Sequence, residues 1–433
     1  MPLAQLDLQQ LLNTGNGRFS VRWLVNPNQP PLENVCLTVE DGLVADIRPA
    51  SSTDGTVPPL MLVPPLVNAH THLEFSSLDQ PLQPPAPFPD WIRSVIRWRR
   101  EAAAHTTPAQ IAATIDQGLI ESRSHAVQLI GEIASSHPQP ATHPTPQCLV
   151  FREAIGLAPQ RIAQQLEMID EFLRLRPALE QSGGQIGISP HAPYSVHLDL
   201  LHALLERARQ HQLPLAMHIA ETLEERTLLE LGSGPFADFL KSLELFDSHT
   251  FPGHRGILEF LELLAQAPSA LIVHGNWLKT DEIQFIARHP SLTVVYCPRT
   301  HHWFGHPAYP LQQLQAAGIR IALGTDSRAS NPDLSIWREL QHLLRHHPHC
   351  SLLQAVDMVT SAAATALRLP QASQPIACSQ PFNATVLECS PDNLPLREQF
   401  LASKVLAPLN STRLSGPDST NPHTSPQPDP QPH

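Results

Sequence analysis

Lysine is scarce in this chain: Lys241, Lys279 and Lys404 are all it has among 433 residues, and 40 acidic side chains outnumber 28 basic ones, for a formal charge of −12. With no sustained basic run, a nucleic-acid or anionic-membrane partner is excluded, because either needs a positive field. A small, neutral or cationic molecule is the expected substrate. Long hydrophobic runs are also missing. No window approaches the roughly 20 apolar residues of a membrane span, and the start MPLAQLDLQQLLNTGNGRFS has neither a basic leader nor a long apolar core. A soluble, cytoplasmic protein is expected, with a homo-oligomer left open. Paired cysteines are the third absence. Cys36, Cys148, Cys297, Cys350, Cys378 and Cys389 show no CxxC spacing, which reads as reduced thiols rather than a disulfide frame or a zinc cluster. Any bound metal must therefore be held by other side chains.

Proline is abundant instead, at 45 residues, about twice the usual share of roughly 5%. It marks Pro81–Pro89 and Pro138–Pro146 as extended surface connections. From Ser415 to His433 almost no apolar residue remains, which predicts a disordered tail. Elsewhere short apolar runs alternate with helical patterns. Strands are expected at Met61–Val67, Val127–Ile133, Cys148–Ile155, Gln185–Ser189, Leu215–Ile219, Ala270–Val273, Leu292–Tyr296 and Ile319–Leu323. Amphipathic segments such as Arg161–Leu175, Leu198–Gln210, Leu223–Leu231 and Asp281–Ala287 are the expected helices between them. A βα alternation repeated eight times implies an α/β fold, a (β/α)8 TIM-type barrel. Phe19–Arg48, with an Asp41-Gly42 turn, reads as antiparallel strands, and Asn383–Cys389 and Ala402–Leu406 can pair with them. The expected organisation is a small β-sandwich domain built from both chain ends, residues 1–60 and 371–412, around a barrel at 61–370, with a tail at 413–433.

Barrel enzymes place their chemistry at the C-terminal mouth, so the strand ends are informative. The first expected strand runs into His70 and His72; the fourth ends at His191 and the fifth at His218 with Glu221 three residues on. The sixth ends at His274 and the eighth at Asp326. Side chains alternate along a strand, so His-x-His turns both imidazoles to one face. A lone histidine at a strand end is more often a hydrogen-bonded structural residue, and most of the 24 histidines sit in polar or proline-rich surroundings. Convergence of five such strand ends on one mouth is the signal, and it points to a metal site.

The segments NAHTHLE, SPHAPYS, MHIAE, VHGNWL and ALGTDSRASN, in this order, resemble the metal-dependent amidohydrolase superfamily, in its branch of hydrolytic deaminases and chlorohydrolases. The likeness spans roughly Val35 to Asn410. Within the branch it is strongest to deaminases of adenosine-type compounds: S-adenosylhomocysteine, methylthioadenosine and aminodeoxyfutalosine. NAHTHLEFS with CPRTHHWFGH most resembles the subgroup acting on aminodeoxyfutalosine, in the futalosine route to menaquinone. The resemblance implies His70, His72, His218 and Asp326 as ligands of one divalent ion, zinc or else iron. It makes Glu221 the proton-transfer carboxylate, His274 the residue that polarises the attacking water, and His191 a substrate contact. Three imidazoles and a carboxylate suit such an ion on chemical grounds as well. Binuclear relatives use a carboxylated lysine near the end of strand four, and none of the three lysines lies there, so a single metal is expected.

Other positions extend the expected substrate site. Arg152, Arg299 and Glu74 lie near strand ends, as contacts or as salt-bridging and rim residues; Trp91 offers an aromatic wall, while Trp98 packs on the barrel. His301, His302 and His306 form a polar lip. Alternatives to an adenosine-type deaminase are a guanine, cytosine or triazine deaminase, a chlorohydrolase, or a noncatalytic barrel scaffold.

Overall fold

The computed structural model describes residues 16–136, 146–181 and 183–410. The expected tail at 415–433 and most of the Pro138–Pro146 connection lie outside the described residues. Among the described residues, fifteen strands form two sheets. The small one uses β1 Gly17–Leu24, β2 Leu32–Glu40, β3 Leu43–Pro49, β4 Leu60–Val63, β14 Asn383–Glu388 and β15 Lys404–Asn410; the large one uses β5 Leu66–His72, β6 Val127–Ala134, β7 Gln147–Ala154, β8 Gln185–Pro190, β9 Leu215–Ile219, β10 Ala270–His274, β11 Leu292–Tyr296, β12 Ile321–Leu323 and β13 Asp326–Ser327.

In the large sheet the order is β12-β11-β10-β9-β8-β7-β6-β5-β13, parallel throughout. Only Gly324 and Thr325 separate β12 from β13, so these are two halves of one broken strand. One half pairs with β11 and the other with β5, which curls the sheet round as in a TIM-type barrel. Its interior is filled by Val67, Ala69, Leu129, Ile133, Leu149, Phe151, Ala216, Leu271, Val273, Val295 and Ala322. Helices such as Leu198–His211, Leu223–Leu231 and Ile336–His346 lie outside, each burying an apolar stripe.

The expected strand Met61–Val67 is corrected. Pro64 and Pro65 interrupt it, since proline cannot donate to a central ladder. The chain before them is β4, which belongs to the small sheet, and the chain after them is β5, whose last residues are the His-x-His pair themselves. β4 pairs with β1 on one side and β14 on the other, joining the two chain ends in the order β15-β14-β4-β1-β2-β3. Asp41 and Gly42 both take positive φ, 49° and 75°, the requirement of the tight turn between β2 and β3. The two ends thus build one six-stranded sheet; a second sheet facing it to make the expected sandwich is not found among the described residues. No described helix is long and apolar enough to cross a membrane.

Candidate active site

At the C-terminal mouth the strand ends deliver their polar residues to one point. Val67 and Ala69 face the barrel interior, which by alternation would turn His70 and His72 away. The ladder between β5 and β6 is irregular between Asn68 and Thr71, and a bulge of this kind re-aims side chains. Both imidazoles consequently join the site. On the broken eighth strand Asp326 reaches the same point through a left-handed backbone, φ 55°, and His274 does so at φ 73°. A left-handed conformation is costly for a side-chain-bearing residue and clusters at functional sites. Gly324 lets the eighth strand pass His70: an added Cβ would lie 2.8 Å from the His70 Cβ and 2.9 Å from its carbonyl oxygen.

The resulting geometry is tight. Asp326 Oδ1 is 3.6 Å from His70 Nε2 and 3.7 Å from His72 Nε2, while Asp326 Oδ2 accepts a 2.9 Å hydrogen bond from Ser330 Oγ. His218 Nδ1 donates to the His191 carbonyl at 2.8 Å. That contact fixes the tautomer and leaves the His218 Nε2 lone pair facing His72 Nε2 at 3.4 Å. The candidate ligand nitrogens of His70, His72 and His218 all lie within 4.8 Å of one another. Beside them, Glu221 Oε1 is 3.4 Å from His274 Nε2.

Burial sets the charge states. It depresses the imidazoles of His72 and His274, each to about 3, and those of His218 and His191 in the same direction. Burial alone would raise Asp326, but the neighbouring histidines hold it below the carboxylate range. Glu221 goes the other way: burial first, then the charges of Asp326 and Glu225, push its carboxyl well up. Burial thus favours a protonated Glu221 beside an ionised Asp326, with the imidazoles of His72, His218, His274 and His191 favoured in their neutral form. The backbone of Glu221 is clamped on both sides. Glu225 accepts from the N–H groups of Ala220 and Glu221 at 3.1 and 2.8 Å, and Asn276 Nδ2 donates to the Glu221 carbonyl at 3.0 Å.

His72, His218, Glu221, His274 and Asp326 floor a cavity of about 360 Å³. Phe75, Phe88, Trp91, Ile92, Val95 and Ile96 wall one side, Phe239, Leu240, Leu243 and Leu245 another, and Leu157 and Tyr194 a third; Arg99, Glu153 and Arg161 supply charge. Trp91 stacks on Phe88 and meets Phe304 edge-on. His191 also lines the cavity, its Nδ1 2.6 Å from Ser195 Oγ. Trp98 packs on Phe75.

Three expected contacts are corrected, because none is among the lining residues. Arg152 turns out of the barrel, since Phe151 and Glu153 take the inward positions of β7, and it donates to the carbonyls of Ala134 and Ser136. Glu74 accepts from the Ser136 backbone N–H and faces Arg99 at 3.6 Å. Arg299 is held by Glu339 at 2.6 Å and Asp333 at 2.8 Å. Glu153, Ser330, Glu225 and Asn276 were not foreseen. Ser330 stands in ALGTDSRASN, four residues beyond Asp326, and Glu153 is one step from Arg152, so strand parity was the available signal for it.

The amidohydrolase family model matches residues 61–396. The chain belongs to the amidohydrolase family. It is therefore a hydrolase of carbon–nitrogen bonds, of a kind that depends on a metal. An aminodeoxyfutalosine deaminase from a Nitratiruptor species is 30% identical over 292 residues, 67% of this chain and 69% of that one. Two solved structures share the fold: the Helicobacter pylori aminofutalosine deaminase in complex with methylthio-coformycin (TM-score 0.74, 20% identity, 90% of this chain and 97% of that one), and an adenosine deaminase from Xanthomonas campestris with bound zinc (TM-score 0.69, 20% identity, 91% of each chain).

The site of this amidohydrolase fits a divalent ion. His70 Nδ1 and Nε2 and His72 Nδ1 are buried without a hydrogen-bond partner among the described residues, an expense that folded proteins avoid. Three imidazoles with one carboxylate are a donor set for zinc or ferrous iron.

Proposed function

We propose that this amidohydrolase is a mononuclear metal-dependent deaminase of adenosine-type nucleosides, with aminodeoxyfutalosine as the favoured substrate and the futalosine route to menaquinone as its setting. The observation that carries the reading is the placement of the Glu221 carboxyl, buried 3.4 Å from His274 Nε2 and beside Asp326 at the floor of an apolar cavity, where burial favours its protonated form. The 30% identity to an aminodeoxyfutalosine deaminase supports the choice of substrate. His70, His72, His218 and Asp326 would hold the ion. When bound, a divalent ion lowers the pKa of water from about 15.7 toward about 7.

The remaining work falls to side chains of this chain. Glu221 holds its proton at Oε for delivery to a ring nitrogen, which makes the amine-bearing carbon electrophilic. The Asp326 carboxylate takes the proton of the attacking water, which His274 Nε2 orients by a hydrogen bond. As the tetrahedral carbon collapses to a carbonyl, that proton passes to the departing amine, which leaves as ammonia, and the proton of the added hydroxyl returns to Glu221, restoring the acid. Trp91, Phe88 and Phe75 exclude water and offer flat apolar surface to a purine. His191, fixed through Ser195, and Glu153 present polar edges to the sugar. The lysines support a single metal: Lys241 and Lys279 pair with Asp238 and Glu230, and Lys404 lies in β15, away from the mouth where a bridging carboxylated lysine would stand.

The test is ammonia release by zinc- or iron-loaded protein from aminodeoxyfutalosine, S-adenosylhomocysteine, methylthioadenosine, adenosine, guanine, cytosine and an aminotriazine. Preference for aminodeoxyfutalosine is expected. Turnover confined to guanine, cytosine or the triazine would overturn the nucleoside reading, and loss of two metal equivalents together in His70→Ala would overturn the mononuclear one.

A further inference from the structure

A second group of imidazoles stands outside the cavity. His302 lies on the helix Pro298–Trp303 that follows β11, and His342 and His346 lie one turn apart on the helix Ile336–His346. Ring centroids are 5.1 Å apart for His302 and His342, 5.4 Å for His302 and His346, and 4.2 Å for His342 and His346. One nitrogen from each ring lies within 4.8 Å of the other two. Histidines at i and i+4 share a helix face, a spacing that serves metal ligation in other proteins. The third imidazole comes from a different element, which completes a three-nitrogen face with room for water. His302 and His346 are exposed and His342 is half-buried, so an ion from solvent can reach them and the side chains can rotate to close on it.

We propose that His302, His342 and His346 form a second, exchangeable site for a borderline transition-metal ion of the zinc, nickel or copper class, separate from the site at the barrel mouth. Neutral imidazoles suit these ions and not the hard cations magnesium or calcium. With no carboxylate in the triad, and with Arg299 and Arg345 close enough to act on His342, this site binds more weakly than one containing Asp326. A metal there clips the helix Pro298–Trp303 to the helix Ile336–His346. The clipped segment carries Thr300, whose hydroxyl is 3.0 Å from Ser330 Oγ, the group that bonds Asp326. It also leads into Phe304, which packs on Trp91 and Phe88.

The experiment titrates Zn2+ into protein already holding one equivalent of zinc, with binding read by calorimetry. A second equivalent is expected. His302→Ala and His346→Ala, both at exposed positions, should each weaken it by about tenfold or more, as should His342→Ala, while the first equivalent and ammonia release persist. His349→Ala, on the neighbouring His-rich turn, should change nothing. Absence of a second equivalent overturns the proposal. So does a second equivalent that survives His302→Ala and His346→Ala, or one weakened equally by His349→Ala, since diffuse surface binding would explain either.

Discussion

At the scale of single residues, the division between metal ligands and acid can be tested directly. Glu221→Gln keeps the shape and hydrogen-bonding capacity of the side chain and removes its acidic proton. Metal content after dialysis should stay that of the parent, while turnover falls by about 10²- to 10⁴-fold. His218→Ala removes a nitrogen that the His191 carbonyl aims into the cluster, so metal should be lost first and activity with it. Equal metal loss in both variants would move Glu221 into the ligand shell. At this scale the sequence was most readable where chemistry and spacing coincide: His70, His72, His218, Glu221, His274 and Asp326 meet within one mouth. It misled where parity decides. Arg152 and Glu153 are adjacent, and only the packing of Phe151 into the barrel interior shows which of them turns inward.

At the scale of elements, Arg299 has a structural task that spacing alone did not reveal. Its guanidinium joins the helix after β11 to Asp333 and to the fully buried Glu339 on the helix Ile336–His346. Arg299→Ala would leave the buried Glu339 carboxylate with neutral donors only, the backbone N–H of residue 299 and Asn331 Nδ2, and no cation beside it; the expected cost is about 3 kcal/mol of stability. Denaturant unfolding reads it. A substrate contact would instead raise KM with stability unchanged. The pH dependence follows the same bond. Burial alone would raise the Asp333 carboxyl, but Arg299 beside it holds the folded value below the ordinary one. Its contribution is therefore complete above the unfolded value of about 3.9 and is lost as pH falls from there through the lower folded value. Melting temperatures taken downward from pH 5 should drop less steeply in Asp333→Asn, which lacks that contribution at every pH. A drop as steep as the parent's would place acid lability elsewhere. The strands were legible because each is a short apolar run, and Leu215–Ile219 and Leu292–Tyr296 match their expected limits. The first was not, because two prolines inside one apolar run divide it between two sheets. The eighth was only half seen: its break at Gly324 answers to the backbone of His70, a neighbour remote in sequence.

At the scale of the whole molecule, charge and site pull in different directions. The net charge of −12 repels an approaching anion over a distance set by ionic strength, about 30 Å at 10 mM salt and about 8 Å at 150 mM. Arg99 and Arg161 on the cavity wall act only at close range, and Arg99 is already offset by Glu74 at 3.6 Å. During approach the long-range field dominates; once the substrate is seated, the arginines do. A nucleoside bearing a carboxylate on its 5′ substituent should therefore show kcat/KM rising with salt relative to neutral methylthioadenosine, with kcat little changed. Neutral substrate serves as the internal control, because salt effects on the protein itself act on both. A ratio that falls with salt would mean that the arginines govern capture as well as seating. Arg99→Gln and Arg161→Gln should then abolish the salt dependence, and the overall negative charge would have no part in substrate choice.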